Sequence, residues 1–107
     1  MPEALEVELR NGRLYVPVAT YEQALAGYPA VALLARDDAW WLIPLKGGAG
    51  GLQLKLRTAR GDRVVEAQEF FRAQGLEDTH EPRAFELAFE PARGAFKLVA
   101  PAASRGG

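Results

Sequence analysis

The chain has 107 residues, 49% of them hydrophobic and 25% charged, with a net charge of −1. That describes one globular domain with no global attraction for nucleic acid or a membrane surface. It has no cysteine and one histidine, which excludes disulfides, thiol catalysis and cysteine-ligated metal.

The opening MPEALEVELR lacks the basic and apolar regions of a signal peptide. The longest apolar runs, within 29–35 and 39–45, fall far short of the ~20 residues a membrane helix needs. A cytoplasmic protein without membrane contact is therefore expected. Arg outnumbers Lys ten to three, and Asn, Cys and Met are scarce. That composition fits a GC-rich bacterial genome or a thermophile.

Leu5, Val7 and Leu9 alternate with Glu6, Glu8 and Arg10, and Leu14, Val16 and Val18 alternate with Tyr15 and Pro17. Between the two runs stands Asn11-Gly12, suited to a type I′ turn because both central positions need positive φ. A two-residue loop sets Leu9 against Leu14, Val7 against Val16 and Leu5 against Val18, all on one face. Pro17 then falls opposite Glu6 on the outer face and marks an edge. Thr20 and Gln23 have capping-box spacing, which predicts a helix over 21–26 with Gly27 at C′. Ala30–Arg36 is apolar at both parities and reads as a central strand. Asp37-Asp38 turns the chain into Ala39–Leu45.

KGGAGG, at 46–51, reads as a flexible linker. It lacks a Gly-Lys-Ser/Thr ending and precedes a strand, so it does not fit a P-loop. Leu52, Leu54 and Leu56 then alternate with Gln53, Lys55 and Arg57. Residues 59–62 turn the chain into a strand over 63–67, and a four-residue loop there sets Lys55 against Glu66. A helix over 68–74 ends at Gly75. Arg83–Glu90 points Phe85, Leu87 and Phe89 inward. The turn Pro91 to Gly94 returns Phe96 and Leu98 on the same face. Both halves read strand–strand–helix–strand–strand. The expected fold is α+β: a single sheet-rich domain, 1–100, of about eight mostly antiparallel strands with two short helices. Its pseudo-repeats are 4–45 and 52–100, an internal ββαββ duplication with pseudo-twofold symmetry. Residues 101–107 read as a disordered tail.

Candidate chemistry is sparse. Ser104 lies in the tail and Thr20 reads as a helix cap, so no nucleophile is set against a base. His80 has Asp78 and Glu81 beside it, too few ligands for a tight transition-metal site. No catalytic residue, metal or cofactor is expected. Between 46 and 63 stand Lys46, Lys55, Arg57, Arg60 and Arg63 against Asp62 alone, which gives the central hairpin a basic tip built on Arg57, Arg60 and Arg63. No aromatic is interleaved with these cations, which argues against a single-strand binder. Trp40 and Trp41 are adjacent on one strand and point to opposite faces. Phe70 and Phe71 raise the same question on the second helix. These four rings exceed what a short helix needs for docking and are candidate contacts.

The expected function is that of a non-enzymatic accessory protein acting through protein–protein contacts with an unidentified partner or with copies of itself. Two alternatives stand beside it. One is a nucleic-acid- or phosphate-binding module using the basic hairpin. The other is a small enzyme using His80 and its neighbouring carboxylates.

Overall fold

A computed structural model of the chain describes residues 5–47, 50–76 and 81–101. Residues 102–107 of the tail, His80 with Asp78, and the middle of the linker lie outside the described residues.

The first hairpin joins β1 (Glu6–Arg10) to β2 (Arg13–Val16). Leu9 faces Leu14 and Glu8 faces Tyr15. Asn11 and Gly12 have φ of 53° and 76°, the left-handed pair that the type I′ loop demands. A side chain at Gly12 would stand 2.9 Å from the Gln68 backbone, so glycine is needed there for space as well.

The chain departs from expectation at the end of β2. Pro17 caps a single helical turn, α1 (Val18–Thr20), so Val18 is helical and does not face Leu5. Pro17 lies beyond the strand, and β2 is not an edge: it pairs with β1 and with β7 (Arg63–Glu66). A π-helical turn, Tyr21–Leu25, follows directly. Thr20 is not its cap. Its hydroxyl is buried and donates to the Glu6 carbonyl at 2.7 Å, tying the helical turn to β1. Gly27, with φ of 89°, stands just past the helical turn.

β3 (Ala30–Arg36) and β4 (Ala39–Leu45) form the second hairpin, turned by Asp37 and Asp38 with φ of 55° and 59°. Asp and Asn tolerate this region because their short polar side chains bond locally. The segment 52–56 is one bent strand with two partners. Its first part, β5 (Leu52–Gln53), pairs with β3, and its second, β6 (Lys55–Leu56), pairs with β7. Between them the Leu54 amide donates to the Pro29 carbonyl at 3.0 Å. β7 leads into α2 (Gln68–Ala73), and β8 (Arg83–Glu90) and β9 (Ala95–Val99) complete the chain.

All strand pairs are antiparallel, in the order β5-β3-β4-β9-β8-β1-β2-β7-β6. Because β5 and β6 are consecutive in the chain, the two ends of this order meet, and the nine-stranded sheet curls into a barrel-like closure. Closure removes the exposed edges of an open sheet. Inward residues alternate along each strand and fill the barrel: Val7, Leu9, Leu14, Val16, Leu42, Val65, Leu87, Phe96 and Leu98 are all buried in one cluster. The helical segments follow β2 and β7, which are antiparallel neighbours. They therefore close opposite ends of the barrel, with Leu25 and Phe71, both fully buried, as the plugs.

Candidate functional site

The aromatic candidates separate once the barrel is built. Trp40 points inward and meets Phe70, Phe71 and Phe85 at centroid distances of 6.2, 5.6 and 5.8 Å, all edge-to-face. Phe70 and Phe71 also touch each other at 5.0 Å. Edge-to-face pairs align the positive rim of one ring with the negative face of another. This cluster is the packing between α2 and the barrel mouth. Phe71 is fully buried and is inaccessible to a partner.

Trp41 points outward, as adjacent strand residues must. It is nevertheless only 5% exposed. No helix covers it. Its indole N–H donates to the Arg36 carbonyl at 3.1 Å, and the Arg93 guanidinium lies 4.5 Å over its ring. Arg93 is held there by Asp37 at 2.7 Å. Around this lid the outer wall of β3, β4 and β9 presents Leu34, 40% exposed, with half-buried Ile43 and, beneath them, buried Ala95. Together with Arg36 they line a shallow hollow of about 240 Å³.

The basic candidates gather elsewhere. Arg57, Arg60 and Arg63 line one groove of about 260 Å³ with Arg10, Glu8, Tyr15 and Pro17. Arg10 comes from the first hairpin and is far from the other three in sequence. Strand pairing brings it in: β2 lies between β1 and β7. Tyr15 stands in the middle, with the Arg10 and Arg57 guanidinium groups 4.8 and 4.9 Å from its ring centre. The aromatic missing from the basic run of the sequence is thus supplied by the neighbouring strand. The only forewarning in the sequence was Tyr15 at an outward-facing parity. Arg63 lies 4.1 Å over the Tyr21 ring and donates to the Gly61 carbonyl at 2.9 Å.

Asp62 holds the groove's loop in shape. One carboxylate oxygen accepts from the Val18 amide at 2.7 Å, the other from the Thr58 hydroxyl at 2.8 Å and from Arg60 at 3.3 Å. These bonds, Thr58 first and then the Val18 amide, stabilise the anion and lower its pKa against a smaller opposing cost of burial. The expected Lys55–Glu66 cross-strand pair does not form, because the turn is centred one residue earlier than expected, with the Arg57 amide donating to the Asp62 carbonyl: Lys55 faces Val64. Glu66 faces Arg13 instead and accepts from its Nε at 3.0 and 3.2 Å. It also accepts from Gln68 at 2.7 Å. Gln68 and then Arg13 hold the Glu66 carboxyl below its usual range, so the group is fixed as an anion.

A third hollow, of about 450 Å³, contains Glu66, Gln68 and Glu69 beside Val31, Leu33 and Phe70. Among the described residues no three histidine or carboxylate side chains come together in a metal-binding group. Among them also, no helix is long and apolar enough to cross a membrane.

The structure thus defines a small antiparallel barrel-like domain, closed at both ends by short helical segments. It carries an arginine-lined groove on one wall and a shallow apolar hollow on another. No family model matches the chain, and comparison with curated proteins and with solved structures yields no match.

Proposed function

We propose that this protein is a non-enzymatic accessory protein that works through protein–protein contacts on the outer wall of β3, β4 and β9. The observation that carries this reading is Leu34, 40% exposed on a strand face shared with Trp41 and Ile43. A barrel's outward positions are ordinarily polar, whereas here Ala32, Leu34, Ala39, Trp41, Ile43 and Leu45 occupy them. The surround of Arg36, Arg93 and Lys97 gives the apolar centre a charged rim. Aromatic and arginine residues at the centre and polar groups around it are the make-up of protein interfaces. Trp41 lies beneath the Arg93 guanidinium at this centre.

The strand pairing also supports reading the chain as two fused ββαββ units. β1, β2, β3 and β4 correspond to the 52–56 strand, β7, β8 and β9. Under that correspondence β2–β7 and β4–β9 map onto themselves, and β1–β8 maps onto the pairing of β3 with β5. The Trp41–Lys97 pair falls at the centre of the β4–β9 contact.

The test is Leu34→Asp, alone and with Ile43→Lys, followed by light scattering across a concentration series and by cross-linking in host lysate. The reading expects the parent to associate, with itself or with one stoichiometric protein, and the variants to lose that association while melting as the parent does. Association that survives both substitutions would refute it.

A further inference from the structure

We propose that the groove over Tyr15 binds a phosphate ester anion, with Arg10, Arg57, Arg60 and Arg63 as its ligands. This site is separate from the protein-docking wall. β2, which carries Tyr15, and β4, which carries Trp41, are four strand positions apart around the barrel, so the two surfaces face away from each other.

Three observations carry the proposal. The first is the local charge. Four arginines line the groove against the carboxylates of Glu8 and Asp62, in a chain whose net charge is −1. Asp62 is committed to the loop through Val18, Thr58 and Arg60. Among the described residues, Arg10, Arg57 and Arg63 make no ion pair with a carboxylate. Gathering like charges is unfavourable, and a bound anion relieves it.

The second is orientation. Arg10 and Arg57 lie over Tyr15, and Arg63 lies over Tyr21. A guanidinium placed over a ring face leaves N–H donors for phosphate oxygens, because the ring itself accepts no conventional hydrogen bond from its edge. Stacking also restricts these long side chains before any ligand arrives, which lowers the entropy cost of binding.

The third is size. About 260 Å³ is less than the ~300–1,000 Å³ that encloses a drug-sized molecule. The groove suits a charged group whose remaining substituent stays outside. Because both faces of the problem are electrostatic, the ligand class is defined by the phosphate, and two sources supply it: a nucleic-acid backbone or a free phosphorylated small molecule.

The experiment uses the full chain and two probes. Anisotropy follows a fluorescein-labelled oligo(dT), and calorimetry follows inorganic pyrophosphate. Four phosphate contacts on a single strand give a salt exponent near −2.8, so affinity for oligo(dT) falls roughly 50-fold between about 50 and 200 mM salt. Arg57→Gln and Arg10→Gln each remove about one contact, or ~0.7 from that exponent. Arg57 is exposed, so its substitution leaves the fold intact, and Arg57→Lys restores charge without the planar fork and recovers only part of the affinity. Arg36→Gln, at an exposed position on β3 across the barrel from β2, removes equal charge elsewhere and leaves binding as it was. Arginine-dependent binding of oligo(dT) supports the site and assigns it to a nucleic-acid backbone. Arginine-dependent binding of pyrophosphate alone supports the site and assigns it to a free phosphate ester. Failure of both probes to bind, or binding that Arg10→Gln and Arg57→Gln leave unchanged, overturns it.

Discussion

Phe71→Ala is the sharpest test of how the barrel is closed. Phe71 is fully buried and meets Trp40 and Phe70 edge-to-face. It plugs the barrel end next to the α2 N-terminus, and a six-residue helix has little stability of its own. Truncating a buried Phe to Ala costs ~3–5 kcal/mol, because the removed surface and the remaining cavity both count. With an unfolding entropy of about 2.1 cal/mol/K per residue, each kcal/mol lowers the melting temperature of this chain by about 4 °C. The expected fall is therefore roughly 13–22 °C. Differential scanning calorimetry or a circular-dichroism melt reads it directly. Near-ultraviolet dichroism adds a local readout, since Trp40 loses a fixed ring neighbour. Phe70 provides the internal comparison. It is half-buried in the same cluster, and its truncation is expected to cost no more than ~2 kcal/mol. If the two substitutions cost the same, or if Phe71→Ala costs under ~1 kcal/mol, α2 is not the plug and the reasoning fails.

Three further outcomes are expected. Gly12→Ala is strained by its φ of 76° and brings a side chain 2.9 Å from the Gln68 backbone, whereas Gly94, with φ of 61°, opens onto free space; both pay ~1–2 kcal/mol for the left-handed conformation, and Gly12→Ala melts lower. Equal melting temperatures would show that Gln68 yields without cost. Asp62 has a lowered pKa when folded, so its contribution is present above the unfolded value of about 3.9 and is lost as pH falls through the lower folded value. The parent's melting temperature should therefore fall more steeply below about pH 4 than that of Asp62→Asn, and parallel curves would exclude that role. Arg93→Ala uncovers the Trp41 ring; its fluorescence should shift to the red and become accessible to iodide, while an unchanged spectrum would mean that other groups cover the indole.

Much of the local structure was legible in the residues. The Asn11-Gly12 turn, the Leu9–Leu14 register, the strands Ala30–Arg36, Ala39–Leu45 and Arg83–Glu90, and the glycines 27, 75 and 94 with positive φ all follow from short-range steric rules. Alternation has a period of two, and a turn residue acts on its own backbone, so neither needs information from elsewhere in the chain. Much of the inward set followed as well, because parity decides which face each side chain takes, but Phe89, expected inward, is 54% exposed and Leu56 is 64% exposed. Where expectation failed, a distant partner had intervened. Thr20 has capping-box spacing, but the Glu6 carbonyl claims its hydroxyl. Lys55 and Glu66 have complementary charges, but the loop held by Asp62 moves the register and Arg13 takes the carboxylate.

What only the tertiary structure decided is which strands are neighbours. A sequence pattern fixes the face a strand presents but not the strand beside it, since every antiparallel neighbour offers the same backbone bonds. Closure through the bent 52–56 strand follows from pairings between residues far apart in the chain, Val31 with Leu52 and Leu56 with Arg63. So do the two candidate surfaces. Arg10 and Tyr15 join Arg57 only because β7 pairs with β2, and Arg93 lies over Trp41 because the β8–β9 turn carries it there. The residue types announced charge and aromaticity, while their arrangement was set by long-range hydrogen bonding that no local signal encodes.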